Sequence, residues 1–302
     1  MKRFVALFVL IGAVLLAAPG VIGFQVQDYY QQLMQELGKG GAQVVSGDYR
    51  RDWFGARDET RFRIQLPKQP GEQEQQTLEF SLVSEIVHGP LTSSGLALAE
   101  VHSEIRLQGE ALLPDDYQAT ISTLIGVDGE GTTRVDLPAT RVAAQGQQPE
   151  IQFDGLQGTM RFDAGLEQMS AQFEMPVLTF EQSNGSQLKL QGVRLDSHSY
   201  KDVSGLMLGS GQFQVERFDL DDTAKGGRMQ IRDLSVDAES SNREGGVGAH
   251  IRYSLQELLL ADKSYGPAEP KLGLANLPAP APLPHQQYGA GGHTHHPTGR
   301  AE

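Results

Sequence analysis
Residues able to do chemistry are sparse in this 302-residue chain. His88 has the most suggestive setting. It closes an alternating apolar run, Leu78, Phe80, Leu82 and Ile86, and stands directly before Gly89 and Pro90. Histidine titrates near neutral pH, so His88 could act as a general base or as a pH-sensitive group. A base needs a partner within hydrogen-bond reach, and no nucleophile motif adjoins it; the competing reading is a histidine that fixes a strand end. Trp53-Phe54 could stack on a ligand, start a core strand, or sit at a membrane interface, where Trp is favoured. Asp115-Asp116 and Asp221-Asp222 are carboxylate neighbours, but adjacent strand residues point to opposite faces, and in turns Asp serves the backbone. His285, His293, His295 and His296 are of a type that binds zinc or nickel. They lie in a stretch without preformed geometry, so neither metal nor cofactor is expected. No GxSxG, P-loop, CxxC or HExxH element occurs. These observations favour a non-enzymatic role, with a hydrolase or isomerase centred on His88 as the alternative.

The elements that must position these residues begin with an apolar stretch, residues 4–24. Thirteen of its 21 residues are Leu, Ile, Val or Phe, and none is charged. As a helix it would be about 32 Å long, matching a hydrocarbon core of about 30 Å. Its apolar side chains supply roughly −4 to −8 kcal/mol of insertion free energy. A cleaved signal peptide is the alternative. Its small-x-small site would be poor here, with Leu16 at the third position before a cut after Ala18 and Pro19 just beyond. Lys2 and Arg3 precede the stretch and Asp28 and Glu36 follow it. This predicts an N-inside, single-pass inner-membrane anchor with the body in the periplasm.

Composition sets further bounds. The net charge of −13 argues against nucleic acid as a partner and against flat adsorption on anionic lipid. The chain has 35 glycines, which suits many tight turns, and no cysteine. Hydrophobic residues make up 39%, enough to bury a core.

Residues 25–41 read as a short helix and linker, with Val26, Tyr29, Tyr30, Leu33, Met34 and Leu37 at helical spacing. From Ala42 the period becomes two. Strands are expected over 42–50, 56–66, 78–88 and 96–109, and a hairpin over 121–137, with a helix across 115–125 as an alternative there. A motif then recurs. Ile151, Phe153 and Leu156 are spaced by two and three; Leu188, Leu190, Val193 and Leu195, and Met229, Ile231, Leu234 and Val236, repeat the pattern. It predicts repeated hairpins with a register shift in one strand, such as a bulge. His250 to Leu260 reads as one more strand. Residues 278–302 are rich in Pro, Gly and His and are expected to be disordered.

Four segments together resemble the YdgA-like family of Gram-negative envelope proteins of unknown function. They are the apolar span with its following helix, Tyr49-Arg50-Arg51-Asp52-Trp53-Phe54, Val87-His88-Gly89-Pro90-Leu91, and Ile251-Arg252-Tyr253-Ser254-Leu255. The resemblance covers residues 1 to about 277 and implies an envelope location. Members of that family continue into a further section, which would begin near Leu274-Ala275-Asn276-Leu277; a truncated or frame-shifted C-terminus is the resulting expectation. The fold expected is mainly β: a transmembrane helix and short helix, then an extended antiparallel sheet over 42–277. The expected role is periplasmic binding or scaffolding, with a lipid or envelope-protein partner. An apolar groove along one sheet face would favour lipid.

Overall fold
A computed structural model describes residues 27, 42–65, 77–108, 117, 119–144, 149–203, 205–222, 227–243, 246–261 and 263–278. The apolar span 4–24, most of the short helix and linker over 25–41, Asp115-Asp116 and the histidine-bearing tail lie outside them. No helix among the described residues is long and apolar enough to cross a membrane. The fold is mainly β, as expected. One antiparallel sheet of 17 strands is joined by a two-stranded ribbon.

The first strands are β1 (Ala42–Arg51), β2 (Gly55–Gln65) and β3 (Thr77–His88). The ribbon β4 (Leu91–Thr92) and β5 (Gly95–Leu96) follows, then β6 (Ala99–Gln108), β7 (Thr120–Ile125), β8 (Gly131–Leu137) and β9 (Thr140–Val142). Next come β10 (Glu150–Phe153), β11 (Leu156–Phe162), β12 (Gln168–Glu181), β13 (Gln187–Lys201), β14 (Met207–Asp222) and β15 (Gly227–Arg243). The last are β16 (Gly246–Ser254), β17 (Glu257–Leu260), β18 (Lys263–Tyr265) and β19 (Lys271–Pro278). The sheet is a meander of successive strand positions, with β8 and β9, β10 and β11, β16 and β17, and β18 and β19 each sharing one position, and β4 and β5 standing apart. Residues 120–125 form a strand, so the helix considered over 115–125 does not form there.

The first third closes a core on one face. Phe62, Leu82, Ile86, Ala99, Val101 and Ile125 pack together, and the rings of Phe62 and Phe80 stack with centroids 5.2 Å apart. Hydroxyls on this face satisfy one another, as buried polar groups must. Ser84 and Ser103 meet at 2.7 Å, and Thr123 and Thr133 at 2.8 Å.

From β8 onward the sheet is creased along one cross-strand row. The register places Pro138, Gly155, Pro176, Gly192, Glu216, Asp233, Gln256 and Pro267 in line across eight successive strand positions. Proline lacks the ladder donor, so inside a sheet it sits at irregularities. Gly155, Gly192 and Asp233 have φ of 95°, 61° and 49°, a region open to Gly and, at some cost, Asp. At this row β8 gives way to β9, β10 to β11, and β16 to β17. The longer strands β12 to β15 pass through it.

The crease explains the two-three-two spacing and corrects the register shift expected from it. Pairing continues in the same register on both sides: Met175 faces Val193 and Val177 faces Gln191, while Val215 faces Leu234 and Arg217 faces Arg232. All strands change phase at the same row, so partners stay matched and the apolar face stays apolar. The two extra-residue irregularities in the described pairings fall instead at the outermost partners, between Val44 and Ser46 and between Val247 and Ala249. There they blunt the open edges.

At the crease the polar side carries two successive side chains. Glu216 reaches Arg194 at 3.4 Å, and Arg217 pairs with Asp219 at 2.6 Å. The apolar side skips directly from Val215 to Phe218. Val215 beside the crease is 4% exposed and Phe213, one row farther out, 38%.

A Cβ on Gly192 would fall on the Glu216 side chain. We expect Gly192→Val to cost at least about 1–2 kcal/mol, the left-handed penalty alone, and to lower Tm by several degrees. Asp233→Gly, which relieves the same conformation, should stay within about 0.5 kcal/mol of the parent. Chemical denaturation of both variants checks this.

Candidate ligand-binding face
Four apolar rows flank the crease, each read from directly paired residues, which share a face. Outermost on one side are Val142, Ile151, Phe180, Leu188, Leu220, Met229, Leu260 and Lys263. Nearer the crease are Thr140, Phe153, Leu178, Leu190, Phe218, Ile231, Leu258 and Tyr265. Across the crease come Leu137, Leu156, Met175, Val193, Val215 and Leu234. Beyond them lie Val135, Gly158, Phe173, Leu195, Phe213, Val236 and Tyr253. Eight strand positions at about 4.8 Å spacing make an apolar track about 34 Å long. Most of these side chains are half-buried by their neighbours along the sheet, while Leu195, Phe213, Tyr253, Leu260 and Tyr265 are exposed.

The opposite face is polar and laced by its own contacts. Gln172 donates to Asp196 at 2.8 Å and Gln212 to Asp237 at 2.7 Å. Arg194 lies between Glu174 and Glu216. A shallow hollow of about 600 Å³ spans Arg134, Gln157, Gln172, Arg194 and Gln214. Within it Arg194 lies between two glutamates and Asp196 accepts from Gln172, so charge of both signs is present.

Trp53, Phe54, His88, Gly89 and Pro90 gather at the other end of the sheet, whereas Asp221-Asp222 ends β14. His88 is buried, 3% exposed, at the end of β3, opposite Ala99. Its backbone N–H donates to the Phe54 carbonyl at 2.9 Å, and that of Gly89 to Leu98 at 2.7 Å. Pro90 follows through a cis bond and leads into the ribbon. Burial lowers the pKa of His88; the nearby Trp53 backbone opposes this and Arg51 adds to it, so the ring is neutral at pH 7. Tyr49 on the same face is pushed up to about 12, chiefly by burial, with Arg51 opposing and Asp58 adding. Ser84 lies four residues from His88 along β3, and Asp58 pairs with Ser84. That separation is about 13 Å, so neither forms a catalytic pair with His88. Trp53 and Phe54 occupy the turn between β1 and β2 and are 57% and 58% exposed. They therefore do not start a core strand.

Glu100 carried no signal that singled it out. It is buried, and its carboxylate accepts from the hydroxyls of Ser93 at 2.7 Å and Ser94 at 2.8 Å, and from the Ser94 N–H at 3.2 Å. His102 lies 3.2 Å away. The Ser93 hydrogen bond leads in holding its pKa down at about 2, against the cost of burial. It clamps the ribbon turn. The signal was Thr92-Ser93-Ser94, a run of donors just before an acidic strand start. Among the described residues no group of three potential metal ligands converges.

A profile of a family described as bacterial protein of unknown function (DUF945) matches residues 1–283, and the chain belongs to that family. No curated protein and no solved structure matches the chain.

Two titrations follow. Glu100 is ionised more readily folded than unfolded, so its contribution is full above about 4.5 and lost as pH falls toward about 2. Glu100→Gln should cost about 1.5–3 kcal/mol at pH 7, through loss of charged hydrogen bonds, and flatten that acid limb. The lowered pKa of His88 means the unfolded chain takes up a proton first, so stability falls as pH drops below about 6.5. His88→Gln should remove that slope. Denaturation midpoints across pH 2–8 read both.

Proposed function
We propose that this chain is an inner-membrane-anchored envelope protein whose periplasmic sheet binds long apolar ligands along its crease. One observation carries the reading: four largely apolar rows on one face, two on each side of the crease. A contiguous apolar face of this extent, with Leu195, Phe213, Tyr253, Leu260 and Tyr265 exposed on it, marks an interaction site. The apolar span 4–24, read as an anchor with N-inside orientation, would hold the sheet next to a source of such ligands. Catalysis at His88 receives no comparable support, because Ser84 and Asp58 are too distant to act with it and Tyr49 is held protonated.

The full chain, stripped of bound lipid, should take up the fluorescent fatty acid cis-parinaric acid with saturation. Phe213→Asp and Leu195→Asp replace exposed apolar side chains worth about 1.5–3 kcal/mol each when covered. Each should weaken uptake about tenfold or more while leaving the circular dichroism spectrum unchanged. Absence of uptake by the parent, or unchanged uptake by both variants, would sink the reading.

A further inference from the structure
Of the residues that the register of β8 to β19 puts in the two rows on each side of the crease, Lys263 alone is charged. It pairs with Leu260 across a tight turn at Ala261 and is exposed. Tyr265, paired with Leu258, stands next to it at the end of the apolar track and is also exposed. Both lie on β18, at the open edge of the sheet. Ser264, between them, turns to the other face and donates to Glu257. Among the described residues Lys263 makes no ion pair. An apolar track of about 34 Å therefore ends in one ammonium and one phenol, at a point reachable from the edge. Acyl chains span about half of a 30 Å hydrocarbon core each, so the track has room for both chains of one lipid.

We propose that the ligand is an anionic phospholipid, its phosphate held at Lys263 beside Tyr265 and its acyl chains lying along the apolar track. This rests on the apolar-ligand reading and adds the headgroup to it. The net charge of −13 disfavours adsorption of the body on a charged bilayer, whereas a single local cation suits capture of one lipid at a time.

The test uses the full chain with two probes of matched chains, phosphatidylglycerol and uncharged diacylglycerol, each competing with cis-parinaric acid. The parent should prefer phosphatidylglycerol. Lys263→Glu should weaken phosphatidylglycerol about tenfold and leave diacylglycerol unchanged, and Lys263→Arg should keep the preference. If Lys263→Glu changes neither lipid while Phe213→Asp weakens both, the headgroup site is wrong and the apolar reading stands. If neither lipid competes, both fall. Light scattering that finds a dimer broken by Phe213→Asp and undisturbed by lipid would assign the face to a second copy and overturn the proposal.

Discussion
Everything in the second part of this molecule depends on one constraint: side chains alternate along a strand, so a change of phase turns every later residue to the other face. One strand changing phase alone would bring charged residues onto the apolar side of its neighbours. Here the change occurs at one cross-strand row in all the strands that reach it. Pairing stays in register and Leu190, Val193 and Val215 remain on the same side as Phe218 and Leu220. The means differ from strand to strand. Pro138, Pro176 and Pro267 remove donors, Gly155 and Gly192 admit left-handed backbone, and Asp233 tolerates it. Several unlike sequence solutions thus produce one shared change of phase.

The two ends of the sheet use the same face differently. Near β1 to β7 its side chains are buried, and the polar ones must find partners. Ser84 with Ser103 and Thr123 with Thr133 do so at hydrogen-bond distance, and Glu100 does so from beside the ribbon. This end has the composition of a packed core, and His88 sits at its rim as a neutral buried ring. Beyond β8 the same face holds almost nothing that needs a hydrogen bond, and it remains partly open. A continuous face therefore divides into a closed structural part and an open apolar part without any change of topology.

Much of this was legible in the residues. Alternation located most strands to within a few positions, and the spacing of Leu188, Leu190, Val193 and Leu195 already held the phase change. Its meaning was not legible, because a bulge in one strand and a bend shared by all leave the same mark within a single strand. Only the pairing of Gly192 opposite Pro176 and Glu216, fixed by hairpins of different length, separates them. Trp53 and Phe54 were open to a ligand contact, a core strand start or a membrane interface, and the three-residue turn at Asp52 to Phe54 leaves them exposed. The edge position of Lys263 was likewise hidden, since nothing local marks β18 as the outermost strand.

An open apolar face has an energetic consequence. Apolar surface left in water costs about 25 cal/mol per Å², and side chains on one face of a sheet reduce that cost partly by covering one another. Val215 and Ile151 are buried in this way, most of their neighbours are half-buried, and Leu195, Phe213 and Tyr253 stay exposed. Gly155 and Gly192 let the backbone change phase at the crease, and the Glu216 side chain lies across Gly192 on the polar face. The apolar face thus lowers the cost of its own exposure only partly and leaves the remainder available to a molecule that covers it.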